Sequence, residues 1–197
     1  GAPVRALRVS FVGELGWELH VPSEYAIAVY DALFDSSEEW GLRDAGYRSI
    51  DSLRLEKGNR LWGVELSPDY NPFEAGLGGF VDIKNNPDFI GRDALIRQKS
   101  SPLTRRLVGL THDDPSARLL GGETILRNGE RVGWLSSGGY GHTVAQNIGL
   151  GYVRNTHDVD DEYLATGKYE LEVRNKIVPA RLHLQALYDP QNLKLRS

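Results

Sequence analysis

The 197-residue sequence contains neither cysteine nor methionine. Without cysteine it can form no disulfide, present no thiolate nucleophile and build no cysteine-ligated metal site. Without methionine it lacks the residue that opens a reading frame, so it reads as a fragment, a processed product or an edited chain, with Gly1-Ala2 as a scar of tag removal. No apolar run approaches the ~18 residues that a membrane helix needs. The start, Gly1-Ala2-Pro3-Val4-Arg5, has no apolar signal-peptide core, so no membrane partner is expected. Excess positive charge is missing too. Lys and Arg total 23 against 27 Asp and Glu, a net charge of −4, and the densest basic pairing is only Arg105-Arg106. That balance argues against nucleic acid, which requires a clustered basic surface. His20, His112, His142, His157 and His183 are dispersed without metal-ligand spacing, so no metal site is expected. There is no Gly-x-Ser-x-Gly, P-loop or dinucleotide fingerprint. Gly138-Gly139-Tyr140-Gly141 sits between strand-like runs with no helix behind it, which disfavours a phosphate site.

What is present, 40% apolar and 25% charged residues, is the ordinary composition of a globular domain. Leu7, Val9 and Phe11 alternate with polar residues, as do Trp17, Leu19 and Val21. Around Gly13-Glu14-Leu15-Gly16 they predict a hairpin with one buried face. A helix is expected from about Glu24 to Glu39, capped at Ser23, striped by Ile27, Tyr30 and Leu33 and stopped by Gly41. A second is expected from Asp44 to Lys57, capped by Asp44, stopped by Gly58, with Tyr47, Ile50, Leu53 and Arg54 on one side. A short strand is expected over Trp62–Leu66, and a short helix near Gly91–Lys99 following Pro87-Asp88. Ser100-Ser101-Pro102 reads as a linker. Beyond it, 104–112, 123–127, 131–137, 146–154, 168–174 and 176–184 read as strands, with Asn128-Gly129 as a hairpin turn. Six such strands suggest a barrel or sandwich. The fold class is therefore α+β: an α/β segment over 1–100, then a small antiparallel β-barrel domain over 103–197.

Chemistry-bearing residues are few. If Trp17, Leu19 and Val21 face a core, Glu18 and His20 face outward. A carboxylate at Glu18 can accept two parallel hydrogen bonds from a flat donor pair such as an aminopyrimidine edge. A solvated strand glutamate is the plainer reading of the same residue. Asp113-Asp114 and Asp158, Asp160 and Asp161 read as solvated loops, and Trp17, Trp40, Trp62 and Trp134 as core rings.

Several stretches together resemble the glycine-cleavage T-protein (aminomethyltransferase) family. Phe11-Val-Gly-Glu-Leu-Gly-Trp-Glu-Leu19 is similar to its Tyr-Thr-Gly-Glu-x-Gly-x-Glu signature. Asp51-Ser-Leu-Arg-Leu-Glu-Lys-Gly58 is similar to its Asp-Ser-Leu-Arg-Leu-Glu-x-Gly helix. Asn71-Pro-Phe-Glu-Ala-Gly-Leu77 and Asp88-Phe-Ile-Gly-Arg-Asp-Ala-Leu95 resemble two further family segments. Gly-Trp-Glu-Leu, Leu-Glu-Lys-Gly with Trp62, and Leu187-Tyr-Asp-Pro190 resemble more closely the flavin-linked sarcosine and dimethylglycine dehydrogenases or oxidases. The resemblance implies an aminomethyltransferase-type fold lacking its amino-terminal lobe, the end of a module that binds tetrahydrofolate at its centre. Glu18 matches the glutamate that receives the pterin's aminopyrimidine edge, and Tyr188 a tyrosine of the folate site. Phe11 stands where many members have tyrosine. Ile50 stands where the family has arginine, with Arg48 two residues earlier as a substitute. The implied activity is transfer of a one-carbon unit from an N-methyl amine (sarcosine or dimethylglycine) to tetrahydrofolate, giving 5,10-methylenetetrahydrofolate. FAD would sit in an upstream domain, and the catalytic aspartate in the absent lobe. No catalytic residue is therefore expected here, and the fragment alone should be inactive. The implied partners are folate, the amine and upstream domains of the same protein, in bacterial cytoplasm or the mitochondrial matrix. The alternative is a non-catalytic interaction module, like the regulatory subunit of pyruvate dehydrogenase phosphatase.

Overall fold

The six strand-like runs of the second half hydrogen-bond into a closed antiparallel barrel in a computed structural model that describes residues 1–85 and 88–196. Its strands are β3 (Arg105–His112), β4 (Thr124–Arg127), β5 (Glu130–Gly141), β6 (Gln146–Arg154), β7 (Tyr169–Val173) and β8 (Lys176–His183). They follow the order β3-β6-β5-β4-β7-β8, and β3 pairs with β8 to close the ring. Closure leaves no unpaired strand edge. Asn128 and Gly129 both take positive φ, 54° and 84°, the backbone that a two-residue hairpin requires. Arg174 and Asn175 do the same between β7 and β8, at 49° and 63°, where composition signals no turn. Alternate residues fill the interior: Val108, Leu110, Ile125, Leu135, Val153 and Leu171 are nearly or wholly inaccessible. A helix α4 (Asp161–Thr166), capped by the Asp160 side chain accepting from Tyr163 N–H, adds Leu164 to this core.

The first hundred residues pack differently. β1 (Arg5–Leu7) and β2 (Glu18–His20) form a three-residue antiparallel ribbon. Residues 8–17 are a long loop, not the tight turn expected. The anticipated buried face is absent, with Trp17 58% exposed and Val9 45%. A 3-10 turn over Ser23–Tyr25 leads into α1 (Ala26–Ser36), so Ser23 lies inside a turn and caps nothing. Gly41, in the left-handed region, follows a second 3-10 turn. No residue of α1 is buried, and its stripe of Ile27, Tyr30 and Leu33 faces outward. α2 (Arg48–Lys57) starts four residues later than expected, because the Asp44 carboxylate accepts from the Tyr30 hydroxyl at 2.8 Å and caps no helix. Gly58 ends α2 at φ 69°, as a left-handed C-terminal stop should. Trp62–Leu66 is a tight turn with a single bridge, not a strand, since the Leu61 carbonyl gathers the N–H groups of Val64, Glu65 and Leu66. α3 (Arg92–Lys99) follows the expectation, and Pro87 lies outside the described residues. Trp40 and Trp62, expected in the core, are 80% and 76% exposed. Trp134 is 41% exposed on the barrel wall, with the Arg154 guanidinium stacked over it.

α2 and the segment that follows it, through Glu65, Tyr70 and Glu74, join the two halves. The last turn of α2 buries Leu55 against Ile148 and Leu150 on the outer face of β6. Close approach is possible because β5 offers no side chain there: a Cβ on Gly139 would lie 2.8 Å from Leu55 Cδ1, and one on Gly141 2.9 Å from Glu56 Cγ. The Gly-rich run is thus a helix-docking surface. A final short helix, α5 (Leu193–Arg196), follows the C-terminal segment.

His112, at the end of β3, is 3% exposed and neither ring nitrogen has a hydrogen-bond partner. Burial lowers its pKa below the ordinary 6.5; the adjacent Ala117 backbone and the Asp113, Asp114 and Glu123 carboxylates oppose this only in part. His183, bonded to Thr111 at 2.8 Å, is lowered by burial and by Arg181. A depressed histidine pKa contributes stability that is present above the unfolded value and lost as pH falls through the folded one. Barrel stability should therefore be flat above neutral pH and decline as pH drops below 6.5, and a His112→Leu variant should lose part of that slope. Denaturant midpoints between pH 7.5 and 5.5 check this; identical slopes would remove His112 as a cause.

Candidate functional site

The Leu-Arg-Leu-Glu-Lys-Gly run reads as a polar helix end, yet Arg54, Glu56 and Lys57 are each at most 8% exposed. Buried charges require partners. Arg54 Nη1 lies 3.2 Å from Glu65 Oε2, and its Nη2 donates to Ser137 Oγ at 2.9 Å. Glu65, with no exposed surface, also accepts from Ser136, Ser137 and the Leu61 N–H. Glu56 Oε1 accepts the Thr143 N–H at 2.6 Å and the Val144 N–H at 3.2 Å, fixing the β5–β6 loop. These contacts lock α2 to the barrel.

The same turn of helix holds the C-terminal segment. The Glu56 carbonyl accepts the N–H groups of Leu187 and Tyr188, both at 3.0 Å. Lys57 Nζ donates to the Asp189 carbonyl at 2.6 Å and reaches Asp189 Oδ2 at 3.1 Å, with side chains 6% and 7% exposed. Asp189 also accepts from the Leu193 and Lys194 N–H groups. Burial works against its ionised form, but the bonds from Lys57 and these N–H groups prevail and its pKa is lowered.

The 8–17 loop closes over this point. Gly13 N–H donates to Ser10 Oγ at 3.2 Å, and Asn59 Nδ2 to the Phe11 carbonyl at 2.8 Å. A Cβ on Gly13 would lie 2.8 Å from Lys57 Cδ, so only glycine lets the loop cross there. The Tyr188 hydroxyl then donates to the Glu14 carboxylate, binding the loop to the C-terminal segment. That bond, followed by burial and the Glu14 charge, raises the Tyr188 pKa.

Three of the four candidate residues belong to this assembly or border it. Phe11 is tied through its backbone and Tyr188 through its hydroxyl. Glu18 follows the loop as the first residue of β2, its side chain 59% exposed and its Oε2 3.8 Å from His20 Nε2. Arg48 is not joined to it: it opens α2 at an exposed position, about 14 Å along the helix axis from Lys57. A cavity of about 330 Å³ opens beside the loop, between Ser10, Gly13 and Asn59 on one side and Leu107, Ile148 and Leu187 on another, and none of the four candidates lines it. Glu14, Glu56, Lys57 and Asp189 were not anticipated as site-forming residues. Their signal was present only as charges inside motifs. No cluster of metal-ligating side chains occurs among the described residues, and no helix among them is long and apolar enough to cross a membrane.

The site thus presents an exposed carboxylate, Glu18, after a loop that the Tyr188 hydroxyl ties to the C-terminal segment. Residues 1–85 match the family model described as the GCVT N-terminal domain, and residues 105–189 the glycine cleavage T-protein C-terminal barrel domain. Mitochondrial sarcosine dehydrogenase of Mus musculus is 42% identical over the whole chain, which covers 21% of that protein. Mitochondrial dimethylglycine dehydrogenase of Homo sapiens is 42% identical over 77% of the chain, covering 17% of that protein. The mitochondrial pyruvate dehydrogenase phosphatase regulatory subunit of Mus musculus is 34% identical over 92% of the chain, covering 22% of that protein. The crystal structure of glycine cleavage system aminomethyltransferase T from Bartonella henselae superposes with a TM-score of 0.79 at 27% identity, over 94% of this chain and 50% of that one. The chain thus spans about a fifth of the length of the curated relatives it matches.

Proposed function

The chain belongs to the glycine cleavage T-protein family, and from that premise we propose that it is the tetrahydrofolate-binding portion of a flavin-linked N-methyl amine dehydrogenase or oxidase. The observation that carries this reading is the Glu14–Tyr188 bond, which unites the family's signature loop with the C-terminal tyrosine in one hydrogen-bonded unit four residues ahead of Glu18 in the chain. In this reading Glu18 anchors the aminopyrimidine edge, since an exposed carboxylate matches a pair of parallel N–H donors once Oε2 turns from His20, 3.8 Å away, to the ligand. Phe11 and Tyr188 line the pterin, and Arg48 serves the outer end of the ligand. Bound tetrahydrofolate would supply the nitrogen nucleophile that captures the one-carbon unit as 5,10-methylenetetrahydrofolate. FAD, the amine substrate (sarcosine or dimethylglycine) and the catalytic aspartate are assigned to regions outside these residues. The folate portion would comprise 1–100 and the barrel domain 103–197, in bacterial cytoplasm or mitochondrial matrix.

The outward apolar side chains of the first half support docking against further domains of the same protein. Ile27, Trp40, Tyr47 and Phe80 are each more than three-quarters exposed, large side chains that a neighbouring domain would cover.

In the intact protein, Glu18→Gln should weaken tetrahydrofolate binding by about tenfold or more, the loss expected when a charge-assisted pair becomes a neutral one, while flavin-dependent amine oxidation persists. Calorimetric titration of both proteins decides it, and unchanged affinity would exclude Glu18 as the anchor. The 34% identity to a phosphatase regulatory subunit favours a second reading, a non-catalytic interaction module. Absence of folate binding by the wild-type protein would select it.

A further inference from the structure

The Tyr188 hydroxyl has one proton and gives it to Glu14. A phenol has a single donor and two acceptor positions, while an ionised carboxylate only accepts. The direction of this bond is therefore fixed for as long as Glu14 is charged. The tyrosine cannot escape by moving. Its own N–H is held by the Glu56 carbonyl, and the next residue is clamped by Lys57 through both its carbonyl and its side chain. The loop that carries Glu14 is equally constrained, by Asn59 on the Phe11 carbonyl and by the tight crossing of Gly13 over Lys57. Both ends of the bond thus rest on the last turn of α2 and the residue pair that follows it.

We propose that Glu14 sets the hydrogen-bonding polarity of Tyr188, so that its oxygen offers only acceptor lone pairs and selects a ligand that presents an N–H donor to it. This rests on the folate reading and adds to it a discrimination by oxidation state. A tetrahydropterin ring carries hydrogen on N5 and N8. In fully oxidised folic acid both are acceptor nitrogens, which meet the Tyr188 lone pairs without a shared proton. Binding the oxidised form would require Tyr188 to abandon Glu14, whose exposed carboxylate would exchange the hydroxyl for water, so the discrimination comes from the polarity of the bond and not from a stranded charge. Glu14 is a positioning residue on this account, because it acts on the ligand through Tyr188.

The test is anaerobic calorimetric titration of tetrahydrofolate and of folic acid into the intact protein, comparing wild type with Glu14→Ala, Glu14→Gln, Tyr188→Phe and the Glu14→Ala/Tyr188→Phe double variant. Wild type should prefer tetrahydrofolate. Glu14→Ala frees the hydroxyl to donate and should shrink the preference by about tenfold, the scale of one hydrogen bond gained against one lost. Glu14→Gln can accept from the hydroxyl or donate its amide N–H to it, so the ratio should fall between wild type and Glu14→Ala. Tyr188→Phe should shrink it as Glu14→Ala does, and the double variant should shrink it no further, because the two residues act as one unit. Equal weakening of both folates in Glu14→Ala would give the residue a merely structural role and overturn the proposal while leaving the folate reading intact. A wild-type protein that binds neither folate would overturn both.

Discussion

Arg54→Ala should lower the unfolding free energy of the chain by about 3–5 kcal/mol, the range for removing one partner of a buried ion pair. The cost comes less from the attraction lost than from the charge left behind. Glu65 has no exposed surface and its carboxylate is shared among the Arg54 guanidinium, Ser136, Ser137 and the Leu61 N–H. Without Arg54 those neutral donors remain, the remaining cation that acts on Glu65 is Arg60, whose own hydrogen bonds go to the Ala75 and Gly58 carbonyls, and the Ser137 hydroxyl loses a donor. The Tyr152 hydroxyl, which donates to the Glu65 carbonyl at 2.9 Å, ties the same residue to β6, so the disturbance reaches the barrel wall. Adding Glu65→Gln to Arg54→Ala should recover part of the loss, because a neutral amide tolerates burial without a counter-charge. Urea unfolding of the three proteins measures it. A loss below about 1 kcal/mol in Arg54→Ala, the range of an exposed pair, would show that water reaches Glu65 and that the network is not what holds α2 to the barrel.

The barrel was legible because its signals are local. Alternation over 104–112 and 146–154, with turn residues such as Asn128-Gly129 between runs, needs no knowledge of distant partners, and all six strands form, five of them within a residue of the pattern and β5 running four residues further, through the Gly-rich run to Gly141. The hairpin was legible in kind but not in extent. Its alternation continues through Val9, Phe11 and Trp17, yet pairing stops at Leu7 and resumes at Glu18, because Asn59 and Tyr188 pull the intervening residues out of the ribbon. Those partners lie 48 and 174 residues away from the positions they hold, beyond what any window along the chain can sense. The exposed Trp17, Trp40 and Trp62 mislead for the opposite reason: apolarity says that a ring needs cover, not that this stretch of chain supplies it. At the site, Glu18 stood out as an outward carboxylate from the hairpin's alternation, while its role and the choice of Tyr188 came from resemblance to a family. Lys57 and Asp189 went unnoticed, since hydropathy assigns every charge to the surface and only tertiary pairing reveals a buried one, and Glu14 because its partner Tyr188 lies 174 residues away.

Lys57→Met should release the C-terminal segment while leaving the barrel closed. The Lys57–Asp189 pair is buried on both sides, with side chains 6% and 7% exposed. Removing the lysine leaves a carboxylate supported only by the Leu193 and Lys194 N–H groups. The expected cost is again about 3–5 kcal/mol, but here local opening relieves it. Swinging residues 187–196 outward returns Asp189 to water at the cost of the two bonds to the Glu56 carbonyl and the bond to Glu14. The barrel core does not depend on those contacts, because its strands close on one another through β3 and β8. Hydrogen exchange should therefore accelerate at the Leu187 and Tyr188 amides by on the order of a hundredfold, with the β5–β6 amides unchanged. Tyr188 would move with the segment, so tetrahydrofolate affinity of the intact protein should fall in the same variant. Asp189→Asn added to Lys57→Met should restore protection, since the amide needs no counter-charge. Uniform acceleration across the barrel would mean that the segment and barrel unfold as one unit. Unchanged exchange at Leu187 would mean that the Glu56 carbonyl alone suffices to hold the segment, and that the buried pair adds nothing to its position.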